Sequence, residues 1–326
     1  EEDGFTTFVD EPPPLEPERP MLLLASGLGG GSQDTYVRSM AAAAAERGWQ
    51  VACLNMRACG DSPVTSPRFF SAHRGSTCDV RHAIATLRRE GRVSGPLAIV
   101  GWSNGGSIVN KYLAECATSH PEPEYSVGAA ASLVCPLDMV VGSNNLKRWF
   151  HRATYDRSIG SNLGRKFKAN AHLFVGPAGE PRPVPRWEGL ACDGTGAGTF
   201  VANVELGSRA RTVREIDEAI TRRCFGFDTV DEYYAHASSD QRLPSITTPT
   251  LLLSAADDPI SPASGIPWHA AYDNPNLMLA TTRYGGHLGW CERGDLWGEP
   301  AWSQRATIGH QETRDSPSTP LQTRVS

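Results

Sequence analysis

The chain reads as an α/β protein, a mainly parallel sheet with helices on both faces, and three observations carry that reading. Short apolar runs alternate with helix-length segments through the first part of the chain, the pattern of strands joined by helical crossovers. The apolar run Leu97-Ala98-Ile99-Val100 meets the helix-like run Ile108 to Ala114 across Gly101-Trp102-Ser103-Asn104-Gly105. Later, Pro249-Thr250-Leu251-Leu252-Leu253-Ser254 reads as a buried strand that runs into a turn-rich loop.

Taken in order, Met21 to Ala25 is a buried-strand run, followed by a helix near 35–47, a strand at 50–55, a helix near 76–90 and the strand at 96–100. Residues 138–240 interrupt this rhythm. They pass through Asp138 to Lys168, a Gly/Pro-rich piece from Val175 to Gly198, and a helical stretch from Thr212 to Arg223. An insertion at that point of such a sheet hangs over the loops that carry chemistry, so it is expected to form a cap that shapes the substrate pocket. The organisation expected is one domain over residues 1–303 with a cap-like insertion at about 138–240, and a disordered tail over 304–326. That tail is polar and lacks apolar periodicity.

Gly-x-Ser-x-Gly between a strand and a helix has a physical meaning that the same letters in a polar loop would lack. The turn forces its serine into a strained backbone geometry, and glycines two residues to either side let strand and helix close up. Ser103 would stand exposed at the sheet edge as a nucleophile. A serine hydroxyl needs a histidine to take its proton and a carboxylate to hold that histidine in the right tautomer.

Both partners are available downstream. The loop Ala255-Ala256-Asp257-Asp258-Pro259-Ile260-Ser261-Pro262 supplies the acid. Asp258 is preferred for its place in Asp-Pro-Ile-x-Pro; Asp257, three residues past the strand end, is the alternative. His287, on the glycine-flanked loop Tyr284-Gly285-Gly286-His287-Leu288-Gly289, is the candidate base, and His269 beside Trp268 is its one rival. His73, His120, His151 and His310 lie in polar stretches and read as surface residues. The N–H of Asn104, which follows the serine, and that of Leu28, in the glycine-rich loop Ser26 to Ser32, are the expected oxyanion donors.

Composition narrows the function. With 40% hydrophobic and 21% charged residues and a net charge of -5, the chain is a globular protein with no electrostatic footprint for nucleic acid. The glycine run after the first strand carries no phosphate-binding lysine motif. Eight cysteines at 53, 59, 78, 116, 135, 192, 224 and 291 form no Cys-x-x-Cys and read as reduced thiols. No cluster has metal-ligand spacing, so neither metal nor cofactor is expected. No apolar stretch reaches the roughly 18 to 20 residues that span a bilayer; the nearest, Val127 to Val141, is broken by Pro136 and Asp138.

Several motifs in fixed order resemble one family. They are Gly27 to Ser32 leading to Tyr36-Val37-Arg38, then Asn55 to Pro63 with Ser66-Pro67-Arg68, and Trp102-Ser103. Ile216-Asp217 with Ile220-Thr221-Arg222, Phe225 to Asp228, and Val230 to Tyr234 follow, and Asp257-Asp258-Pro259 and Gly285 to Gly289 complete the set. From about residue 20 to 300 the chain resembles the α/β-hydrolases of the type 1 and type 3 α/β-hydrolase-domain branch, with their bacterial, yeast and plant embryogenesis-associated relatives. The resemblance implies the α/β-hydrolase fold, Ser103 as nucleophile, His287 as base and the Asp257–Asp258 pair as source of the acid.

It further implies a serine carboxylesterase or lipase acting on a small-molecule ester or lipid, with an acyltransferase on the same acyl-enzyme, or a non-catalytic binding member, as alternatives. Three departures stand out: Asn104 where the family often has Leu, Phe or Met, Ser26 where many members carry His, and a polar end in place of a final amphipathic helix. Eukaryotic members often carry an N-terminal membrane anchor. The start at Glu1 leaves room for one upstream, so the expected location is left open between cytoplasmic and membrane-associated.

Overall fold

Six parallel strands build the sheet: β1 (Met21–Ala25), β2 (Gln50–Leu54), β3 (Leu97–Trp102), β4 (Ala129–Leu133), β7 (Thr250–Ala255) and β8 (Leu277–Thr282). Between β4 and β7 in the chain lies a separate antiparallel pair, β5 (Pro183–Val184) and β6 (Phe200–Val201). The computed structural model describes residues 16–290 apart from 61, 65–66, 69–70, 73 and 185–199. The expected tail at 304–326 lies outside the described residues, as does much of the Gly/Pro-rich piece.

The strand order is β2-β1-β3-β4-β7-β8. Successive residues of a strand face opposite sides, and both sides here are apolar. Met21, Leu23 and Ala25 of β1 enter one core with Leu97 and Ile99 of β3, whereas Leu22 and Leu24 enter the other with Ala98, Val100 and Trp102. Helix α1 (Thr35–Glu46) covers the second side through Val37, Met40, Ala43 and Ala44. Helices α2 (Arg74–Arg89) and α3 (Asn104–Thr118) cover the first through Val80, Ile84 and Leu87 and through Ile108, Val109 and Tyr112. Helical crossovers join the strands in parallel and cover both faces, which is why the strands read as continuous apolar runs.

The order fixes where a site can form. The chain leaves β1 toward β2 on one side, and leaves β3 toward β4 on the other. The loops after β1 and β3 therefore part at the sheet edge and open a crevice, the topological switch point of an open α/β sheet. Ser103 follows β3 directly, and the glycine-rich loop follows β1.

The insertion between β4 and β7 is helical. It holds α4 (Met139–Leu146), then Trp149–His151 running through a π-helical turn at Arg152–Asp156 into Arg157–Ala169, and later Val204–Arg209 and Val230–Ala237. The predicted helix at 212–223 starts with a capping box, the Thr212 side chain accepting from the Glu215 N–H and Glu215 reaching back. It is helical throughout but not α-helical throughout. Val213–Ile216 gives way to a π-helical turn at Asp217–Thr221 before Arg222–Cys224, a wider turn that composition alone does not announce.

Candidate active site

Ser103 sits at φ 51° and ψ -120°, a left-handed conformation that costs a non-glycine residue about 1–3 kcal/mol. The surroundings hold it there: its N–H donates to the Leu133 carbonyl at 2.8 Å, and its own carbonyl accepts from Ser107 N–H at 3.2 Å. The flanking glycines are needed for space. A β-carbon at Gly101 would lie 2.4 Å from the Gly105 carbonyl oxygen, and one at Gly105 would lie 2.3 Å from the Ala25 carbonyl oxygen. Strand β3, helix α3 and strand β1 can approach this closely only without those side chains.

His287 reaches Ser103 from a loop 184 residues further on, with Nε2 at 3.0 Å from the serine Oγ. Its Nδ1 lies 2.7 Å from Oδ2 of Asp258. The carboxylate accepts there, so Nδ1 carries the proton and Nε2 is left free to accept from the hydroxyl. The Asp258 side chain is wholly buried, and its other oxygen, Oδ1, accepts from the N–H groups of Ile260 at 2.7 Å and Ser261 at 2.9 Å. Those two bonds fix the carboxylate beside the histidine and compensate its burial.

Asp257 is adjacent in sequence and does something else. Its Oδ1 accepts from Gly286 N–H at 2.8 Å, on the exposed side of the histidine loop. Of the two aspartates considered, Asp258 touches the imidazole. The rival histidine, His269, is exposed on Trp268–Asp273 and does not line the cavity that holds Ser103.

Leu28 and Asn104 both line that cavity beside Ser103 and His287. Neither backbone N–H has a hydrogen-bond partner among the described residues. The loop bearing Leu28 packs directly on the serine, since a β-carbon at Gly27 would lie 3.4 Å from Ser103 Cβ. Asn104 turns its side-chain amide toward the Ser71 carbonyl at 3.5 Å.

Ser26 does not brace this loop: it is buried, and its Oγ finds no partner among the described residues. Other residues do. The Tyr36 hydroxyl accepts from Gly27 N–H at 3.0 Å and donates to Asp34 Oδ2 at 2.8 Å, which also accepts from Gly31 N–H at 3.1 Å. Burial pushes the Tyr36 phenol well above its usual range, so it stays a neutral hydroxyl. Asn55 Oδ1 accepts from Ser32 N–H at 2.7 Å and closes the far end of the loop. Tyr36 and Asn55 fall within the motifs quoted above, but nothing in one sequence shows which backbone donors they meet.

The cavity holds about 430 Å³ and runs from Ser103 into the helical insertion. Met139, Leu146, Ile159, Val213 and Ile260 give it an apolar wall. A polar patch interrupts that wall where the two π-helical turns end and begin, at Asp156 and Asp217. Asp156 Oδ1 accepts from Val213 N–H at 2.8 Å, and Asp217 Oδ2 accepts from the Tyr234 hydroxyl at 2.7 Å. Burial lifts the Asp217 carboxyl to about 6, with Asp156 nearby adding to the rise. Asp217 and Tyr234 stood in motifs without an assigned role, and Asp156 gave no sequence signal. No group of metal-ligating side chains occurs among the described residues.

Comparisons with known proteins bear on the family and the fold. The family model for the alpha/beta hydrolase fold matches residues 20–124. Embryogenesis-associated protein EMB8 of Picea glauca is 33% identical over 95% of this chain, which spans 64% of that protein's length. An abhydrolase domain-containing protein of Dictyostelium discoideum is 30% identical, covering 95% of this chain and 71% of its own length. A Saccharomyces cerevisiae protein named medium-chain fatty acid ethyl ester synthase/esterase 2 is 28% identical over 85% of this chain and 59% of its own length.

Among solved structures, an esterase of Pyrococcus furiosus superposes with a TM-score of 0.54 at 11% identity, covering 91% of this chain and 82% of its own. Parallel sheet, switch-point crevice and nucleophile-type turn define an α/β-hydrolase. The chain belongs to that family.

Proposed function

We propose that the protein is a serine hydrolase that cleaves carboxylic esters, medium-chain acyl esters or glycerolipids, through an acyl-enzyme. One observation carries the reading: the serine, imidazole and carboxylate form an unbroken chain of contacts at 3.0 and 2.7 Å, with Ser103 and His287 lining a largely apolar cavity. Ser103 Oγ attacks the ester carbonyl while His287 Nε2 takes its proton. The carbonyl oxygen gains the negative charge and meets the N–H groups of Leu28 and Asn104, which have no other partner among the described residues. As the carbonyl re-forms, the C–O bond to the alcohol breaks and the departing oxygen takes the proton from His287. Water, deprotonated by the same nitrogen, then attacks the acyl-serine and releases the acid.

The cavity wall supports an acyl chain of some length. Each buried methylene contributes about 0.8 kcal/mol, so lengthening the acyl group from about four to about eight carbons adds roughly 3 kcal/mol if all of it is buried. A series of p-nitrophenyl esters tests this: kcat/KM rises with chain length up to medium chains. Acetate outrunning every longer ester would leave a small-ester carboxylesterase. The yeast relative's name favours a second reading, ester synthesis by an alcohol in place of water. Product appearing mainly as the ethyl ester when ethanol is added would promote it.

A further inference from the structure

The first turns of the long helix in the insertion carry aromatic side chains that face solvent. Trp149 is 82% exposed, Phe150 51% and Tyr155 40%. They do not stand singly. The rings of Trp149, Phe150, His151 and Tyr155 form one row, with successive centroids 5.7, 6.2 and 6.1 Å apart. Isolated exposed apolar residues need no explanation, whereas a contiguous aromatic ridge does.

Charge gives the ridge its partner. Lys147, Arg148, Arg152 and Arg157 flank it, all exposed, and the one acid within the stretch, Asp156, is buried. This is a concentration of positive charge in a chain whose net charge is -5. Two acids approach from neighbouring segments: Glu215 lies 3.9 Å from Arg152, and Asp231 is engaged by both terminal guanidinium nitrogens of Arg214. Exposed aromatics escorted by basic residues are the composition that seats a helix in a lipid headgroup layer, the rings entering the acyl boundary and the cations meeting anionic headgroups. Trp268 and Tyr272, exposed on another helix, have Asp273 beside them and no such escort.

The ridge also adjoins the cavity. Leu146 and Lys147 before it, and Asp156 and Ile159 after it, line the space that leads to Ser103. We infer that the Lys147–Arg157 segment docks the protein on an anionic lipid surface and sets the cavity mouth against that surface, so that a lipid substrate enters without crossing water. This rests on the proposed ester hydrolysis of lipids, and it assigns the surface that would deliver them.

Vesicle sedimentation tests it with the full chain carrying Ser103→Ala, which separates binding from turnover. The protein should sediment with phosphatidylcholine vesicles containing phosphatidylserine and weakly with phosphatidylcholine alone. Replacing Trp149 and Phe150 together by serine should reduce binding about tenfold or more. Arg148→Glu with Arg152→Glu should abolish the preference for anionic vesicles, at roughly fivefold per basic side chain removed. In the Ser103 background these variants should leave hydrolysis of a soluble short ester unchanged.

Failure of the parent to sediment with either vesicle, or serine variants that bind as the parent does, overturns the inference. So does a dimer that the serine variants dissociate, which would make the ridge a contact between copies. Soluble-ester turnover without vesicle binding removes the surface and spares the hydrolase reading. Vesicle binding with no ester turned over does the reverse.

Discussion

Asp257 and Asp258 are neighbours in sequence, and they hold neighbouring residues of one loop in different ways: Asp258 Oδ2 faces the His287 side chain at Nδ1, 2.7 Å away, and Asp257 Oδ1 accepts from the Gly286 backbone N–H at 2.8 Å. The first contact sets the tautomer of the imidazole. The second ties down the backbone one residue before it. Asp258→Asn is therefore expected to lower kcat by about 10⁴-fold, because an amide in that place favours the wrong tautomer. Asp257→Asn keeps an amide oxygen that accepts from Gly286 N–H and loses only the charge, at an exposed position, so it should cost about tenfold at most. Steady-state hydrolysis of a p-nitrophenyl ester by both variants decides it, and the reverse ranking would move the acid to Asp257.

Tyr36→Phe tests the loop that carries Leu28. Losing the hydroxyl strands the Gly27 N–H and leaves Asp34 Oδ2 with the Gly31 N–H, at a cost of about 1–3 kcal/mol in stability. If the N–H of Leu28 acts on the transition state, kcat should fall roughly tenfold with KM little changed. A rise in KM at constant kcat would mean that the loop binds substrate and does not stabilise the oxyanion.

Gly105→Ala should be poorly tolerated for a reason independent of catalysis. The new methyl would press on the Ala25 and Ser26 carbonyls at 2.3 and 2.4 Å, both of them backbone. A loss of about 3 kcal/mol or more is expected in urea unfolding. Wild-type stability in that variant would mean that β1 and α3 do not approach as described.

Asp217 makes stability depend on pH. Its carboxyl is lifted by burial from 3.8 to about 6. With the folded value above the unfolded one, the favourable contribution is fully present below about pH 4 and is lost as the pH rises through about 6. The loss amounts to about 3 kcal/mol at most. Asp217→Asn, which keeps an acceptor for Tyr234, should then gain on the wild type between about pH 4 and pH 7, by roughly 1–3 kcal/mol. Urea midpoints at the two pH values measure the gain, and a difference independent of pH would rule out a buried ionisation.

How far the sequence reached follows from how local each signal is. The strand before Ser103, the turn and the helix after it are written in consecutive residues, so the fold class and the serine were legible. His287 was legible from its glycine-flanked loop. Asp258 was preferred to Asp257 only for its place in Asp-Pro-Ile-x-Pro, because either spacing after β7 is compatible with a loop, and it is the path of Pro259 to Ser261 that turns Asp258 inward. The π-helical turns at Arg152–Asp156 and Asp217–Thr221 use the same residue types as an ordinary helix, so the carboxyls they bring to the cavity were hidden. The support that Tyr36 and Asn55 give the β1 loop depends on contacts across the fold. Ser26 drew attention instead by its departure from the family pattern.

The relay at Ser103 is the centre of the account, and covalent labelling tests it most directly. Treatment with a fluorophosphonate followed by peptide mass spectrometry should find the adduct on Ser103. Ser103→Ala, folded as judged by circular dichroism, should neither label nor hydrolyse p-nitrophenyl esters. A folded Ser103→Ala variant that keeps most of its activity, or an adduct on another residue, would contradict it.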